Sequence, residues 1–202
     1  MKLFFSFIIC ALTSISLYGQ SPQAPVAPPL KEAENSSNAQ KYFSDVVLVN
    51  QNGQQLRFYS DLLQGRVVVI SSFMTTCPSA CPAKNRTLEK LQEAAGDRLG
   101  KDVLILSISV DPVTDTPERL KEYAKIYHAK AGWHFLTGKK ENVDWALHKI
   151  GQYVPNKEDH VNILVMGNES TGLWKKALGL ASASELLNIF ASVLNDKAPT
   201  PK

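Results

Sequence analysis

Two uninterrupted aliphatic runs, residues 67–70 and 103–106, constrain the fold more than any other feature of the chain. Neither run alternates with polar residues, which is typical of strands that are buried on both faces of a sheet. Apolar residues with helical spacing follow the first run, as at Leu88, Leu91 and Ala95. A sheet that is buried on both faces needs helices on both sides. The sequence therefore predicts an α/β fold with a mixed sheet flanked by helices.

Turn and cap signals place further elements around these two strands. Asn52-Gly53 lies between two apolar stretches and predicts an N-terminal β-hairpin extension. Thr116 before Pro117 predicts one helix start, and a capping box that begins at Ser182 predicts another. The predicted strands cover residues 45–49, 56–59, 66–73, 102–110, 133–136, 162–166 and 173–177, and the predicted helices begin near residues 82, 117, 141 and 183.

Residues 1–40 are predicted to precede the folded domain. Lys2 followed by the apolar residues 3–12 has the pattern of a signal peptide, which we assign to residues 1–19. Polar residues interrupt the run before it reaches the ~20 residues of a membrane span, so a cleaved signal and a soluble product are favoured over a retained anchor. Residues 20–40 are Pro-rich and then polar, which is typical of a linker. The folded domain is predicted over residues 41–196, with a disordered tail at 197–202.

Export and charge limit the class of function. An exported chain of this kind is expected in the periplasm or at the outer face of the inner membrane, where thiols are exposed to oxidation. The net charge is only +3, and basic and acidic residues are interspersed, so a nucleic-acid partner is not expected. No surface pattern indicates a dimer, and a monomer is the default expectation.

Two cysteines, Cys77 and Cys81, carry the chemistry that the sequence predicts. The third cysteine, Cys10, falls within the predicted signal peptide. A spacing of four residues on a helical turn places both sulfurs on one face, close enough to share a metal ion or to close a disulfide. The pair follows a buried strand and enters a helix, which is where open α/β sheets build their sites.

The residues alone leave several uses of this pair open. Two thiolates bind thiophilic ions such as Cu(I), and two close thiols also catalyse thiol–disulfide exchange. An inert disulfide would stabilise little, because it would close a very short loop. A peroxidase-like activity would need an activating Thr and Arg near the cysteine, for which Thr75, Thr76 and Arg86 are candidates.

A copper(II) site with two thiolates would also need imidazole nitrogen. Of the four histidines, His128, His134 and His148 lie in helix or strand contexts typical of surface or core residues. His160 lies in a polar loop before a predicted strand, from which its ring could reach a metal. Asp159 beside it is a candidate for orienting that ring.

Several motifs in order resemble the SCO/SenC family of copper-binding proteins. The motifs are the segment 73–82 around Cys77 and Cys81, the segment 107–112 that contains Asp111, the segments 115–118 and 133–138, and Asp159-His160. The resemblance extends from about residue 45 to the last helix. It implies a thioredoxin-like fold and a role in assembling the binuclear copper centre of cytochrome c oxidase.

The resemblance also implies a set of site residues and partners. The family's copper ligands correspond to Cys77, Cys81 and His160, and Asp111 corresponds to an acidic residue near the metal loop. The expected function is that of an exported metallochaperone for Cu(I) or Cu(II), with Cys77 and Cys81 also capable of reducing a cuproprotein client. The expected partners are an upstream copper donor and a cytochrome c oxidase copper-centre subunit or another cuproprotein.

Overall fold

The computed structural model describes residues 37–78 and 80–197, which include every predicted strand and helix. The strands are β1 Val47–Asn50, β2 Gln55–Arg57, β3 Val67–Phe73, β4 Val103–Ser109, β5 Trp133–Thr137, β6 Ile163–Asn168 and β7 Leu173–Leu178. The helices are α1 Asn38–Phe43, α2 Ala80–Ala95, α3 Pro117–Ile126, α4 Lys140–Ile150 and α5 Ala183–Leu194. Two short 3₁₀ helices, Gly96–Arg98 and Lys157–Asp159, lie between them. The predicted fold class is confirmed.

The strands of the described residues form one mixed sheet in the order β2-β1-β5-β4-β3-β6-β7. The central strands β5, β4 and β3 run parallel. On one side β6 pairs antiparallel with β3, with Ser71 opposite Leu164, and on the other side β1 pairs antiparallel with β5. Because β6 runs against β3, the start of β6 lies beside the carboxyl end of β3.

Apolar side chains fill both faces of the sheet. All seven residues of β3 are buried, and successive residues face opposite sides. Val67, Val69 and Phe73 join the core under α2, α3 and α5, whereas Val68 and Ile70 join the core under α1 and α4. This alternation explains why the strand has no polar face in the sequence.

The predicted caps and turn are present. The Thr116 hydroxyl accepts a hydrogen bond from the Arg119 amide at 3.4 Å, and Pro117 is the first residue of α3. The Ser182 hydroxyl accepts one from the Glu185 amide at 3.2 Å and caps α5. Gly53 in the first hairpin has a φ of +74°, which glycine adopts without strain.

Helix α1 was not predicted, and it begins inside the segment that the sequence assigns to the linker. The Ser37 hydroxyl caps it by accepting a hydrogen bond from the Gln40 amide at 3.1 Å. Its last residue, Phe43, packs edge-on against Phe58 at 6.1 Å between ring centroids and lies 5.5 Å from the ring of Trp174. Phe58 and Trp174 lie outside the segment that forms α1, so the composition of that segment does not predict these contacts.

The predicted signal peptide at 1–19, most of the predicted linker and residues 198–202 lie outside the described residues. In the described part of the chain, no helix combines the length and apolarity needed to cross a membrane.

Candidate metal centre

The topology of the sheet brings three distant segments of the chain to one place. Cys77 lies in the loop that leaves the carboxyl end of β3, and Cys81 lies in the first turn of α2. His160 follows the short 3₁₀ helix Lys157–Asp159 and precedes β6. Because β6 is antiparallel to β3, the segment before β6 returns to the end of β3 where the cysteines begin.

The side chains of Cys77, Cys81 and His160 form a compact group of donors. One ligand atom from each lies within 4.8 Å of the other two. The Cys81 sulfur lies 3.4 Å from His160 Nε2, and the Cys81 amide donates a hydrogen bond to the Cys77 sulfur at 3.4 Å. Two sulfurs and one imidazole nitrogen are the donors that copper and other thiophilic ions prefer.

The backbone orients the His160 ring. Nδ1 lies 2.8 Å from the Lys157 carbonyl oxygen, and this geometry assigns the ring proton to Nδ1. The lone pair of Nε2 is then directed at Cys81. The sequence suggested that the Asp159 carboxylate orients this ring. Asp159 is exposed, and the group that accepts from Nδ1 is the Lys157 carbonyl.

Asp111 acts on the histidine loop through Lys157. Its Oδ2 accepts a hydrogen bond from Lys157 Nζ at 2.6 Å, and its side chain is largely buried. Burial alone would raise the pKa of Asp111, but hydrogen bonds from Lys157 and Thr114 outweigh it and hold that pKa below the usual carboxyl range. Asp111 thus restrains the segment that carries His160.

Ser72, which the sequence did not indicate, joins the two halves of the group. Its hydroxyl donates a hydrogen bond at 3.3 Å to the carbonyl of Val161, the residue that follows His160. Its carbonyl accepts a hydrogen bond at 2.5 Å from Nζ of Lys84, which lies about one helical turn after Cys81 in α2. Its amide donates to Gln152 Oε1 at 2.7 Å. A serine inside a buried strand has no sequence signal that separates this role from ordinary packing.

Asp115 fixes the loop before Cys77, and the sequence missed this role as well. Its carboxylate is fully buried and accepts hydrogen bonds from the Thr75 amide at 3.2 Å and the Thr75 hydroxyl at 2.5 Å. The Ser109 hydroxyl also donates to it at 2.5 Å. Arg119 Nε donates to the Thr75 hydroxyl at 2.6 Å. The cysteine loop is therefore anchored to the end of β4 and the start of α3.

The two cysteines differ in depth. Cys77 is 8% exposed, whereas Cys81 is 0% exposed. Burial raises the pKa of Cys81 to about 11, although the positive charge of Lys84 partly opposes this rise. At neutral pH Cys81 is therefore a thiol, and a metal must displace its proton to bind.

The remaining candidates lie in other surroundings. His134 Nδ1 is 3.4 Å from the side-chain nitrogen Nδ2 of Asn50, and burial lowers the pKa of His134. His148 stacks on Tyr153 at 3.9 Å between ring centroids. His128 lies 2.9 Å from Glu89 at the surface. The contacts of these rings are typical of the surface and core residues that the sequence predicted.

Arg86, the candidate activating residue of a peroxidase, also has other partners. Its guanidinium donates to Glu89 Oε2 at 3.1 Å and lies 5.6 Å from the ring centroid of Tyr127. Thr75 is held by Asp115, as described above. Two of the three candidate residues of a peroxidase, Thr75 and Arg86, are thus bonded to other groups.

Known proteins share this architecture. The family model SCO1/SenC matches residues 34–186, which is more than half of the chain. An SCO2-like protein of Rickettsia conorii is 32% identical over 124 residues, which make up 61% of this chain and 57% of that protein. A protein of Stutzerimonas stutzeri named as a candidate copper-binding protein is 31% identical over 112 residues, or 55% of this chain and 53% of that protein. These matches span little more than half the length of either relative.

A solved structure is also similar. BsSco is described as a member of the Sco family of cytochrome c oxidase assembly proteins, in which a disulfide switch was identified. It is 25% identical, with a TM-score of 0.59 over 75% of this chain and 92% of that one.

Proposed function

Because the chain belongs to the SCO1/SenC family, we propose that it is an exported copper metallochaperone. It binds one copper ion through Cys77, Cys81 and His160 and delivers that ion during assembly of the copper centre of cytochrome c oxidase. The relative from Stutzerimonas stutzeri is named for copper binding, and BsSco is named for cytochrome c oxidase assembly, which supports both parts of the proposal.

One observation carries the proposal: two sulfurs and an imidazole nitrogen lie within 4.8 Å of one another. A pair of thiolates suits Cu(I), which accepts two or three soft ligands, and the added nitrogen suits Cu(II). Restraints on both sides hold these donors. Asp115 anchors the cysteine loop, and the Lys157 carbonyl orients the histidine.

The unequal depth of the donors suits a site that must release its cargo. Cys81 is fully buried in α2, whereas Cys77 is 8% exposed and lies, like His160, in a loop. The ligands of a recipient protein therefore reach copper from the side of Cys77 and His160, and the bond from copper to Cys81 is the last to break. Each thiol that released its proton on loading regains one on delivery.

Export and the identity of the client belong to this proposal. Lys2 and the apolar residues 3–12 favour export to the periplasm or to the outer face of the inner membrane. The client is a cytochrome c oxidase copper-centre subunit or another cuproprotein, and a separate donor loads the site.

Copper titration of the reduced protein tests the metal site. We expect one copper per chain, and we expect His160→Ala to weaken Cu(II) binding far more than Cu(I) binding, because Cu(II) depends more on nitrogen. His128→Ala is the matched control, since His128 lies at the surface against Glu89. Electron paramagnetic resonance of the Cu(II) form reports whether nitrogen is bound. Equal Cu(II) uptake and an unchanged spectrum in His160→Ala would exclude His160 as a ligand.

A second candidate function is thiol–disulfide exchange, which the closeness of the two sulfurs favours, with Cys77 as the thiol that keeps some exposure. The Cys77 thiolate attacks a client disulfide, forms a mixed disulfide and releases one client thiolate. Cys81 then attacks the Cys77 sulfur, which closes the Cys77–Cys81 disulfide and releases the second client thiol. The client is reduced by two electrons, and the cysteine pair is oxidised by two.

Variants of His160 and Cys77 distinguish copper delivery from thiol–disulfide exchange. Exchange requires Cys77 and does not require His160. Reduction of a client disulfide that persists in His160→Ala and disappears in Cys77→Ser would support exchange. Loss of reduction in both variants would count against it as an independent activity.

A further inference from the structure

Lys84 is a fully buried lysine beside the candidate metal centre. It lies in α2, three residues after Cys81, so that both side chains lie on the same side of the helix. Its aliphatic stem passes so close to Gly179 that a Cβ on that glycine would lie 2.9 Å from Lys84 Cδ. The Gly179 amide in turn donates to the Asn162 carbonyl at 2.7 Å, two residues after His160. The stem therefore packs against backbone that is hydrogen-bonded to the segment after His160.

The described protein offers few groups that offset the cost of burying the positive charge of Lys84. In the part of the chain that the structure describes, its hydrogen-bond acceptor is the Ser72 carbonyl, and no carboxylate pairs with it. A buried charge normally requires an opposite charge nearby. The nearby groups that can become negative are Cys77 and Cys81, whose negative charge would raise the pKa of Lys84 against the lowering by burial.

Net charge decides which oxidation state of copper such a lysine favours. Cu(I) with two thiolates and a neutral imidazole has one net negative charge, whereas Cu(II) with the same ligands is neutral. A positive charge beside the centre neutralises the Cu(I) complex. The same charge gives the Cu(II) complex an uncompensated positive charge in a poorly solvated place.

We propose that Lys84 is the buried counter-charge of the copper–thiolate centre and sets its preference for Cu(I) over Cu(II). The inference deepens the proposed function and rests on copper binding at Cys77, Cys81 and His160. Lys84 is a positioning residue, because it acts through its charge and through Ser72 and donates no bond to the metal.

The test compares Cu(I) and Cu(II) affinities in variants that remove the charge. Lys84→Met replaces the ammonium with an apolar group of similar length, and Lys84→Gln keeps an N–H donor for Ser72 without the charge. Lys90→Met is the matched control, because Lys90 is an exposed lysine on the same helix. Cu(I) affinity is measured by anaerobic competition with bicinchoninate, and Cu(II) affinity is measured by competition with EDTA.

We expect the ratio of Cu(I) to Cu(II) affinity to fall by roughly tenfold to a hundredfold in both Lys84 variants. We expect it to change by less than about twofold in Lys90→Met, because an exposed charge is screened by water. An unchanged ratio in Lys84→Gln, with copper still bound, would overturn the role of Lys84 and leave the metallochaperone intact. A wild-type protein that binds neither ion would overturn the proposed function itself, and this inference with it.

Discussion

The pKa of Cys81 makes the strongest quantitative prediction, which concerns the pH dependence of copper binding. We expect the Cu(I) affinity to rise at least tenfold per pH unit between about pH 7 and pH 9. In the proposed site copper binds the Cys81 thiolate, and burial raises the pKa of this thiol to about 11. Since the proton competes with the metal below that pKa, affinity increases with pH throughout this range.

The magnitude follows from the distance between the pKa and the pH. At pH 7 the Cys81 thiol exceeds its thiolate by roughly 10⁴, because each pH unit contributes a factor of ten. Proton competition at this one sulfur therefore costs about 5 kcal/mol of apparent binding free energy at pH 7. The complete burial of the side chain supports a cost of this order, since little water reaches the sulfur to screen it.

Two measurements test the prediction. Competition with bicinchoninate at several pH values gives the slope of the logarithm of affinity against pH, after correction for the competitor's own protonation. Calorimetry in buffers of different ionisation enthalpy counts the protons released per copper. Cys81→Ser should lower the slope by about one log unit per pH unit. A slope near zero in the wild type, or the same slope in Cys81→Ser, would refute the reasoning.

Three further substitutions probe the surroundings of the site. Asp115→Ala leaves its donors without their buried acceptor and should cost roughly 3 kcal/mol in urea unfolding, and a loss below about 1 kcal/mol would contradict the anchoring role. Asp111→Asn should cost less than about 1 kcal/mol, because Lys157 is 41% exposed, but should weaken Cu(II) affinity about threefold or more. In the wild type, the low pKa of Asp111 contributes stability at neutral pH that is lost as pH falls through that pKa, so Asp111→Asn should show a smaller loss in acid unfolding. Phe43→Ala should cost roughly 1–2 kcal/mol, since the ring is half-buried, and an unchanged thermal midpoint would show that α1 docks without stabilising the fold.

The fold was predictable where local patterns decide the structure. The aliphatic run at 67–70 and the capping box at Ser182 each specify one element, and both elements appear at the expected place. The family predicted from the ordered motifs is confirmed by the match over residues 34–186. Helix α1 was missed because it has only six residues in a polar segment, and because Phe43 packs against Phe58 and Trp174, which lie outside that segment.

The candidate site was predictable in its donors and only partly in its supports, since the family motif pointed to Asp111 but nothing pointed to Ser72 or Asp115. Cysteines four residues apart and a loop histidine are residue types with distinctive chemistry, so their presence alone suggests a role. Ser72 carries no such information, yet it bonds partners 80 and 89 positions away, in Gln152 and Val161. Such contacts exist only after β6 has paired with β3.

The burial of Lys84 was not predictable from the sequence, because a lysine in an amphipathic helix is ordinarily a surface residue. Its complete burial is costly unless a negative charge compensates it, and the nearby cysteines supply that charge only when they bind metal or lose their protons. In the described part of the metal-free protein its hydrogen-bond acceptor is the Ser72 carbonyl, and burial lowers the pKa of Lys84. We therefore expect copper to raise the stability of this domain by more than its ligand bonds alone would, because loading the site also compensates the buried ammonium.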